Sequence, residues 1–159
     1  MIMDEIENTF FLKELNFEQL PSNLTVFVGF LLNKTAQLIK NAGDHALKQY
    51  NITTQHIGLL LYLLHQPNSS QIDISNATLI DRTTMVNLID ELEAEKLVER
   101  TRNPNDRRKY QVTLTNKGRE MIPVFTKLME DTENSFLSLL TIGEKENLVN
   151  ALIKLIVKK

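Results

Sequence analysis

The stretch RNPNDRRKYQVTLTNKGR, residues 102–119, decides the fold because it contains a turn, a strand and the start of a helix. Its residues 103–106, Asn-Pro-Asn-Asp, have turn chemistry, since proline fixes φ and the short polar side chains bond the neighbouring backbone. Residues 110–115, Tyr-Gln-Val-Thr-Leu-Thr, alternate between apolar and polar, which predicts a half-buried strand. Together with a strand over Val98–Arg102, the stretch therefore predicts a β-hairpin.

The cations of the chain are concentrated around this hairpin. The whole chain has a net charge of −2. Residues 96–119 contain eight cations and two acids, a local balance of +6, so the remainder carries −8. Arg107 and Arg108 lie at the predicted tip. Such a division favours a local anionic partner, and the alternative of a solvated basic hairpin stays open at this point.

Composition excludes several classes of protein. The 159 residues predict one domain, with two lobes possible. The chain has no cysteine, which excludes a disulfide framework, a thiolate metal site and a thiol redox sensor. Apolar runs are too short to span a membrane, and the acidic start at Asp4 and Glu5 is unlike a signal peptide. We therefore expect a cytoplasmic protein with no membrane partner.

The motifs of common enzymes are also missing from the sequence. It has no Gly-rich phosphate loop, no HExxH, no Gly-x-Ser-x-Gly and no cysteine nucleophile. His45, His56 and His65 are far apart, without a carboxylate cluster at ligand spacing. The sequence therefore predicts no enzyme, no cofactor and no metal site.

Helical periodicity continues on both sides of the hairpin. Apolar residues at three- and four-residue steps predict a long helix from Ser22, two helices and a short helix before the hairpin, and two helices after it. The predicted N-caps are Thr53, Ser70, Asp81, Thr115 and Thr141. The helix that follows Asp81 is expected to continue to about Lys96.

This order predicts a mainly α fold with a small β-hairpin, a winged helix-turn-helix lobe plus a helical dimerisation lobe. We assign 53–115 to the winged helix-turn-helix DNA-binding region and both 22–52 and 116–159 to the helical dimerisation region. Residues 1–21 form an N-terminal arm or a short helix. The flanking helices are more apolar than so small a lobe can cover, which predicts a second copy of the chain.

The helix that begins after Asp81 is predicted to present one face to the core and one outward. Its apolar stripe is Met85, Leu88, Ile89 and Leu92. The outward face begins with small polar residues and becomes acidic only from Asp90. The predicted major-groove contacts are Arg82, Thr83, Thr84 and Asn87. For the two threonines the alternative is that they cap the helix.

Further contacts to DNA are predicted outside this helix. Ser70 and Gln71 can donate to phosphate from a helix N-terminus, or they act only as caps. Arg107 and Arg108 suit a narrow minor groove, where guanidinium is favoured electrostatically. Arg102 completes the DNA-binding set. Asp106 is expected to brace an arginine of the wing rather than to touch the duplex.

Residues 81–119, DRTTMVNLIDELEAEKLVERTRNPNDRRKYQVTLTNKGR, resemble the MarR family of bacterial transcriptional regulators. The resemblance rests on the order and spacing of Asp81-Arg82-Thr83-Thr84, residues 88–93, residues 97–100, Asp106-Arg107-Arg108 and Leu114-Thr115-x-x-Gly118-Arg119. The long helices extend it to about residues 22–157. It implies a homodimer that binds pseudo-palindromic operator DNA, commonly as a repressor released by a small aromatic or other lipophilic ligand.

Three positions depart from the family pattern. Leu79 stands where many relatives have glycine, which puts the turn geometry in doubt. Asn87 stands where many relatives have arginine, which puts the base preference in doubt. Ile57 replaces a common aromatic residue, so His56 and Ile57 are the candidates for lining a ligand pocket. The alternative function is a winged helix used only for protein contacts, against which the Arg107–Arg108 pair argues.

Overall fold

The computed structural model describes residues 27–103 and 110–157. This part contains six α-helices, a short 3-10 helix at Lys48–Tyr50 and one two-stranded sheet. In chain order the elements are α1 (Val28–Leu47), α2 (Thr54–His65), α3 (Gln71–Thr78), α4 (Arg82–Ala94), β1 (Val98–Arg102), β2 (Tyr110–Leu114), α5 (Asn116–Phe136) and α6 (Ile142–Ile156). The predicted fold class, mainly α with a small hairpin, is confirmed.

The chain divides into two compact units between Ala42 and Gly43, a point inside α1. In the first unit, the described residues 27–42 form most of that helix and expose the apolar side chains of Phe27, Val28 and Leu32. The second unit contains the end of α1 and every other element. All of the geometry described below belongs to the second unit.

Side-chain caps begin the helices at the predicted residues. Thr53 and His56 form a capping box in which the imidazole takes the place of the usual Glu or Gln, with Nδ1 accepting from Thr53 N–H at 2.9 Å. The other predicted caps accept from the backbone N–H three residues on: Ser70 from Asp73, Asp81 from Thr84, Thr115 from Gly118 and Thr141 from Glu144. All five predicted N-caps are therefore confirmed.

The hairpin has the predicted strands and an antiparallel register. Val98 pairs with Leu114 and Arg102 pairs with Tyr110. Val112 N–H also donates to the Ser69 carbonyl at 2.9 Å, which ties the second strand to the segment before α3. The predicted tip residues Asp106, Arg107 and Arg108 lie outside the described residues.

One apolar core joins α2, α3, α4, α5 and the hairpin. Its fully buried side chains come from every one of these elements, among them Leu60, Ile74, Ile89, Val98 and Phe125. The ring of Phe125 meets that of Tyr50 edge to face, with centroids 5.2 Å apart. Burying one such large apolar side chain contributes about 1.5–3 kcal/mol. The core therefore fixes α4 against the rest of the second unit.

Helix α6 differs from the others, because none of its residues is buried. Its exposed apolar side chains are Ile142, Val149, Ile153, Leu155 and Ile156. Among the helices of the described part, none is both long enough and apolar enough to cross a bilayer.

Candidate nucleic-acid interface

Helix α4 buries one face and leaves the other uncovered. Its core stripe is buried as predicted, Met85 and Ile89 completely. Asp81 caps the helix by accepting from Thr84 N–H at 3.0 Å and from the Thr84 hydroxyl at 2.6 Å. These bonds hold the pKa of Asp81 below its ordinary value. The first turn of α4 is thus fixed from within, and its outer surface is available.

The predicted major-groove residues differ in how exposed their side chains are and in whether those side chains are already hydrogen-bonded. Arg82, Thr83 and Asn87 are exposed. Thr84 is half-buried, and its hydroxyl is engaged by the Asp81 cap. On the same outer face lies Val86, 37% exposed, which our sequence analysis did not include. The signal for it was present in the helical spacing, since Val86 stands three residues after Thr83.

The C-terminal half of α4 is acidic, and its carboxylates are bound by other elements. The guanidinium of Arg100, on β1, donates to both Asp90 and Glu93. Asn51 donates its side-chain amide to Glu95 at 3.0 Å. We call residues 90–95, the C-terminal part of α4 together with its C-cap Glu95, the anchored half of α4. Its acidic groups are held by neighbouring residues of the protein, while the first half of the helix carries no acid beyond its cap.

Glu91 makes the remaining contact of the anchored half, with His56 of α2. The imidazole is 1% exposed, and Nε2 lies 3.0 Å from the Glu91 carboxylate, in a contact without good hydrogen-bond alignment. Because Nδ1 accepts from Thr53 N–H, the proton of the neutral ring sits on Nε2. Burial lowers the pKa of His56, although Glu91 and Asp44 act in the opposite direction. The ring is therefore neutral near pH 7.

The basic cluster counted from the sequence includes cations that are already engaged. Arg100 is tied to two carboxylates, and the Lys117 ammonium donates to the Glu95 carbonyl at 2.7 Å. Arg102, at the end of β1, is exposed. Fewer cations at the base of the hairpin are therefore available to an anionic partner than the sequence indicates.

The turn between α3 and α4 keeps a conformation that favours glycine, although it contains leucine. Leu79 has φ 57° and ψ 22°, in the left-handed region, and its side chain is 93% exposed. The Ser75 hydroxyl donates to the Ile80 carbonyl across the turn. The departure from the family pattern therefore leaves the left-handed turn in place and adds backbone strain to it.

The two predicted phosphate contacts on α3 have different surroundings. The Ser70 hydroxyl donates to Asp73 at 2.6 Å and accepts from Asp73 N–H at 3.2 Å, so it is occupied by the capping box. Gln71, the first residue of α3, is half-buried. Gln71 is the residue directly after the N-cap Ser70.

The two candidate pocket residues lie inward. Ile57 is buried and borders an apolar crevice too narrow to hold a water molecule, lined also by Leu60, Leu61, Ile122, Phe125 and Thr126. Pockets for drug-sized ligands have volumes of roughly 300–1,000 Å³. His56 is engaged by Thr53 and Glu91, as described above. Within residues 27–103 and 110–157, no three acidic or histidine side chains are grouped so as to hold a metal ion.

Comparison with known proteins shows that part of the chain is similar to one family. The family model of the MarR family matches residues 50–109, which include α2, α3, α4 and β1. The chain is also similar to the transcriptional repressor CouR bound to a 23-mer DNA duplex, with 27% identity, a TM-score of 0.78, and coverage of 86% of this chain and 98% of that one.

Two further solved structures are similar over most of their length. BpsR of Bordetella bronchiseptica, whose DNA binding is regulated by 6-hydroxynicotinic acid, is 29% identical, with a TM-score of 0.75 and coverage of 87% and 99%. MepR of S. aureus, solved as a DNA complex, is 28% identical, with a TM-score of 0.70 and coverage of 82% and 96%.

Proposed function

We propose that the chain is a MarR-family transcriptional regulator, a ligand-responsive repressor that binds a pseudo-palindromic operator as a homodimer; the match of the family model to residues 50–109 and the similarity to BpsR and CouR support this. Its function is recognition of double-stranded DNA, with no catalytic step, and it acts in the cytoplasm. Residues 53–115 form the DNA-binding region of the proposal, and residues 22–52 and 116–159 form its dimerisation region.

One observation carries the proposal, the division of α4 into two halves. The exposed first half offers Arg82, Thr83 and Asn87 to a base edge or a phosphate. In the anchored half, Asp90 and Glu93, which would repel a duplex, are paired with Arg100, and Glu95 accepts a hydrogen bond from Asn51. An exposed helix with a polar, acid-free start on a rigid lobe suits the major groove.

The other proposed contacts to DNA lie in the elements on either side of α4. Gln71 and Ser70 approach phosphate at the start of α3, and Thr84 supports the first turn of α4. Arg102 leads toward the hairpin tip, where Arg107 and Arg108 enter the minor groove, braced by Asp106. The DNA-bound structures of CouR and MepR support this arrangement by their overall similarity.

Dimerisation is supported by the apolar side chains that α6 leaves exposed. A helix whose residues are all at least partly exposed gains little from folding onto its own chain. Covering Ile142, Val149, Ile153 and Leu155 with a second copy removes this apolar surface from water. Light scattering at micromolar concentration should give twice 18.3 kDa, and a monomer would contradict this part of the proposal.

The effector of the proposal is a small aromatic or other lipophilic molecule. BpsR supports the class, since an aromatic acid regulates its DNA binding. Of the two candidate pocket residues, Ile57 borders the apolar crevice described above, and His56 stays a second candidate. An effector of this class should release the protein from its operator at fixed salt.

Selection of bound sequences from random duplex DNA at one fixed salt concentration tests the function. The proposal predicts enrichment of a pseudo-palindrome whose half-sites lie one helical turn or a multiple apart. Binding without sequence enrichment would reduce the function to non-specific DNA binding. The absence of any salt-dependent binding would leave a winged helix that contacts only proteins.

A further inference from the structure

Four of the exposed residues of α4 are related in position to its four buried residues. The buried residues of the helix are Met85, Leu88, Ile89 and Leu92. Two residues before each of them stand Thr83, Val86, Asn87 and Asp90, all four exposed. At 100° per residue, a shift of two places a residue on the opposite side of a helix. We call these four the outward stripe.

Val86 stands at the edge of this stripe, about 60° around the helix from buried Ile89, and is not among the buried core residues. Its side chain is 37% exposed, with Thr83 one turn before it and Asn87 next to it. A β-branched residue is less favourable than alanine at an exposed helical position, because χ1 is restricted against the preceding turn. Asp90, the last member of the stripe, is engaged by Arg100. The freely exposed part of the stripe is therefore Thr83, Val86 and Asn87.

A valine side chain distinguishes base pairs by only one kind of feature. It cannot donate or accept a hydrogen bond, so it gains nothing from the N7, O6, N4 or N6 atoms of the major groove. The thymine C5-methyl group is the apolar feature of that groove. Placed against a G·C pair, the methyl groups of Val86 would instead exclude water from polar atoms without replacing the lost hydrogen bonds.

We propose that Val86 is a specificity-determining residue that contacts a thymine methyl group in each half-site of the operator. The inference rests on the proposed function, because it places the first half of α4 in the major groove. Asn87, adjacent to Val86, offers the donor and acceptor that match adenine. The outward stripe thus favours A·T pairs at the positions that it covers.

The test uses the best operator from the selection and replaces each thymine in turn by deoxyuridine, which lacks the methyl group but keeps the hydrogen-bonding atoms. Removing one buried methyl group should weaken binding about fourfold per half-site. Substitution at both symmetry-related positions should weaken it about fifteenfold, since contributions at separated positions add as free energies. Affinities of the full-length wild type and Val86→Ala are compared at one salt concentration.

With Val86→Ala, the same deoxyuridine substitution should change the affinity less than twofold, because the partner of the methyl group is gone. Val124→Ala is the matched control, since Val124 is a similarly exposed valine on α5. That control should respond to deoxyuridine as the wild type does. Alanine is favourable in a helix, and a thermal melt by circular dichroism checks that both variants fold.

The outcomes separate this inference from the function beneath it. A selected operator with no thymine sensitive to deoxyuridine would overturn the role of Val86 while leaving the regulator intact. Equal sensitivity in the wild type and Val86→Ala would overturn it as well, because the methyl group would then contact another residue. A protein that selects no sequence at all would overturn both proposals.

Discussion

Arg100 and Glu93 are joined through both backbone and side chain. The Arg100 backbone N–H donates to Glu93 Oε1 at 3.1 Å, and its guanidinium Nη1 donates to the other carboxylate oxygen. Nη2 of the same guanidinium donates to Asp90. Strand β1 of the hairpin and the anchored half of α4 are therefore joined by hydrogen bonds through Arg100.

Replacing Arg100 by methionine should destabilise the fold. The change keeps an apolar stem of similar length but leaves Asp90 and Glu93 without their cation. Hydrogen bonds to charged groups contribute about 1.5–3 kcal/mol, so the free energy of unfolding should fall by about 2 kcal/mol. Urea denaturation at pH 7 measures it. Arg119→Met, at an exposed position on α5, is the control and should change stability by about 0.5 kcal/mol or less. Equal effects of the two variants would contradict the finding.

Leu79→Gly should stabilise the protein. Glycine adopts the left-handed conformation of this turn without the Cβ clash, which costs other residues roughly 1–2 kcal/mol. The gain is reduced by the extra entropy of glycine in the unfolded chain, so about 0.5–1 kcal/mol should remain. Leu79→Ala is the matched control, because it removes the exposed side chain but keeps Cβ. If both variants rise equally in melting temperature, the leucine side chain and not its backbone is the source of the effect.

Gly118→Ala should be strongly unfavourable. A Cβ at this position would clash with the Leu97 carbonyl oxygen. That oxygen also accepts from Thr115 N–H at 3.1 Å, so it cannot move without loosening the start of α5. Overpacking of this kind costs about 1–3 kcal/mol. Gly58→Ala in α2 meets nothing within 4 Å and should instead gain about 0.5–1 kcal/mol. Opposite shifts in melting temperature are expected, and shifts of the same sign would contradict this packing.

His56 should make stability depend on pH. Its folded pKa is lowered by burial, so the unfolded chain binds the proton more readily than the folded one. The stabilisation is fully present above the ordinary pKa of about 6.5 and is lost as the pH falls from there toward the lower folded value. Protonation of Nδ1 would also remove the acceptor for Thr53 N–H.

The measurement for His56 is the urea midpoint at pH 7.5 and pH 5.5. His56→Gln is the matched variant, because glutamine is a usual partner in a capping box and does not titrate. Wild type should lose more stability between the two pH values than the variant does. A parallel decline in both proteins would assign the pH dependence to other groups.

Asn87→Ala should lower the affinity for the selected operator by roughly tenfold to a hundredfold, since a good bidentate pair with adenine contributes about 1–3 kcal/mol. Binding to random DNA should be almost unchanged. Asn150→Ala, on the exposed surface of α6, serves as the control. Equal losses on operator and random DNA would mean that Asn87 positions the protein on the phosphate backbone and does not read sequence.

The parts of the fold that depend on local chemistry could be predicted from the sequence. Thr115 and Thr141 cap their helices because the cap and its partner are three residues apart. The alternation in residues 110–115 sufficed for β2, because one face of a strand is buried. Apolar residues at three- and four-residue steps sufficed for the order of the helices, and the pattern in residues 81–119 supplied the resemblance to the family.

Features that depend on distant residues were outside the reach of such reasoning. Arg100 was counted among the cations of the hairpin, but the fold places it against acids seven and ten residues earlier. His56 was a candidate for a ligand pocket, and the ring is occupied by a cap and by Glu91 of another helix. Whether it also meets an effector stays a prediction.

The anchored half of α4 also limits how an effector could change DNA binding. The contacts of Arg100 with Asp90 and Glu93, and of Asn51 with Glu95, hold the C-terminal end of α4 to neighbouring elements. In the proposed homodimer, an effector would then change the distance between the two copies of α4, while the bases that each helix can contact stay the same. Release from the operator would follow because the spacing of the two helices no longer equals the spacing of the two half-sites.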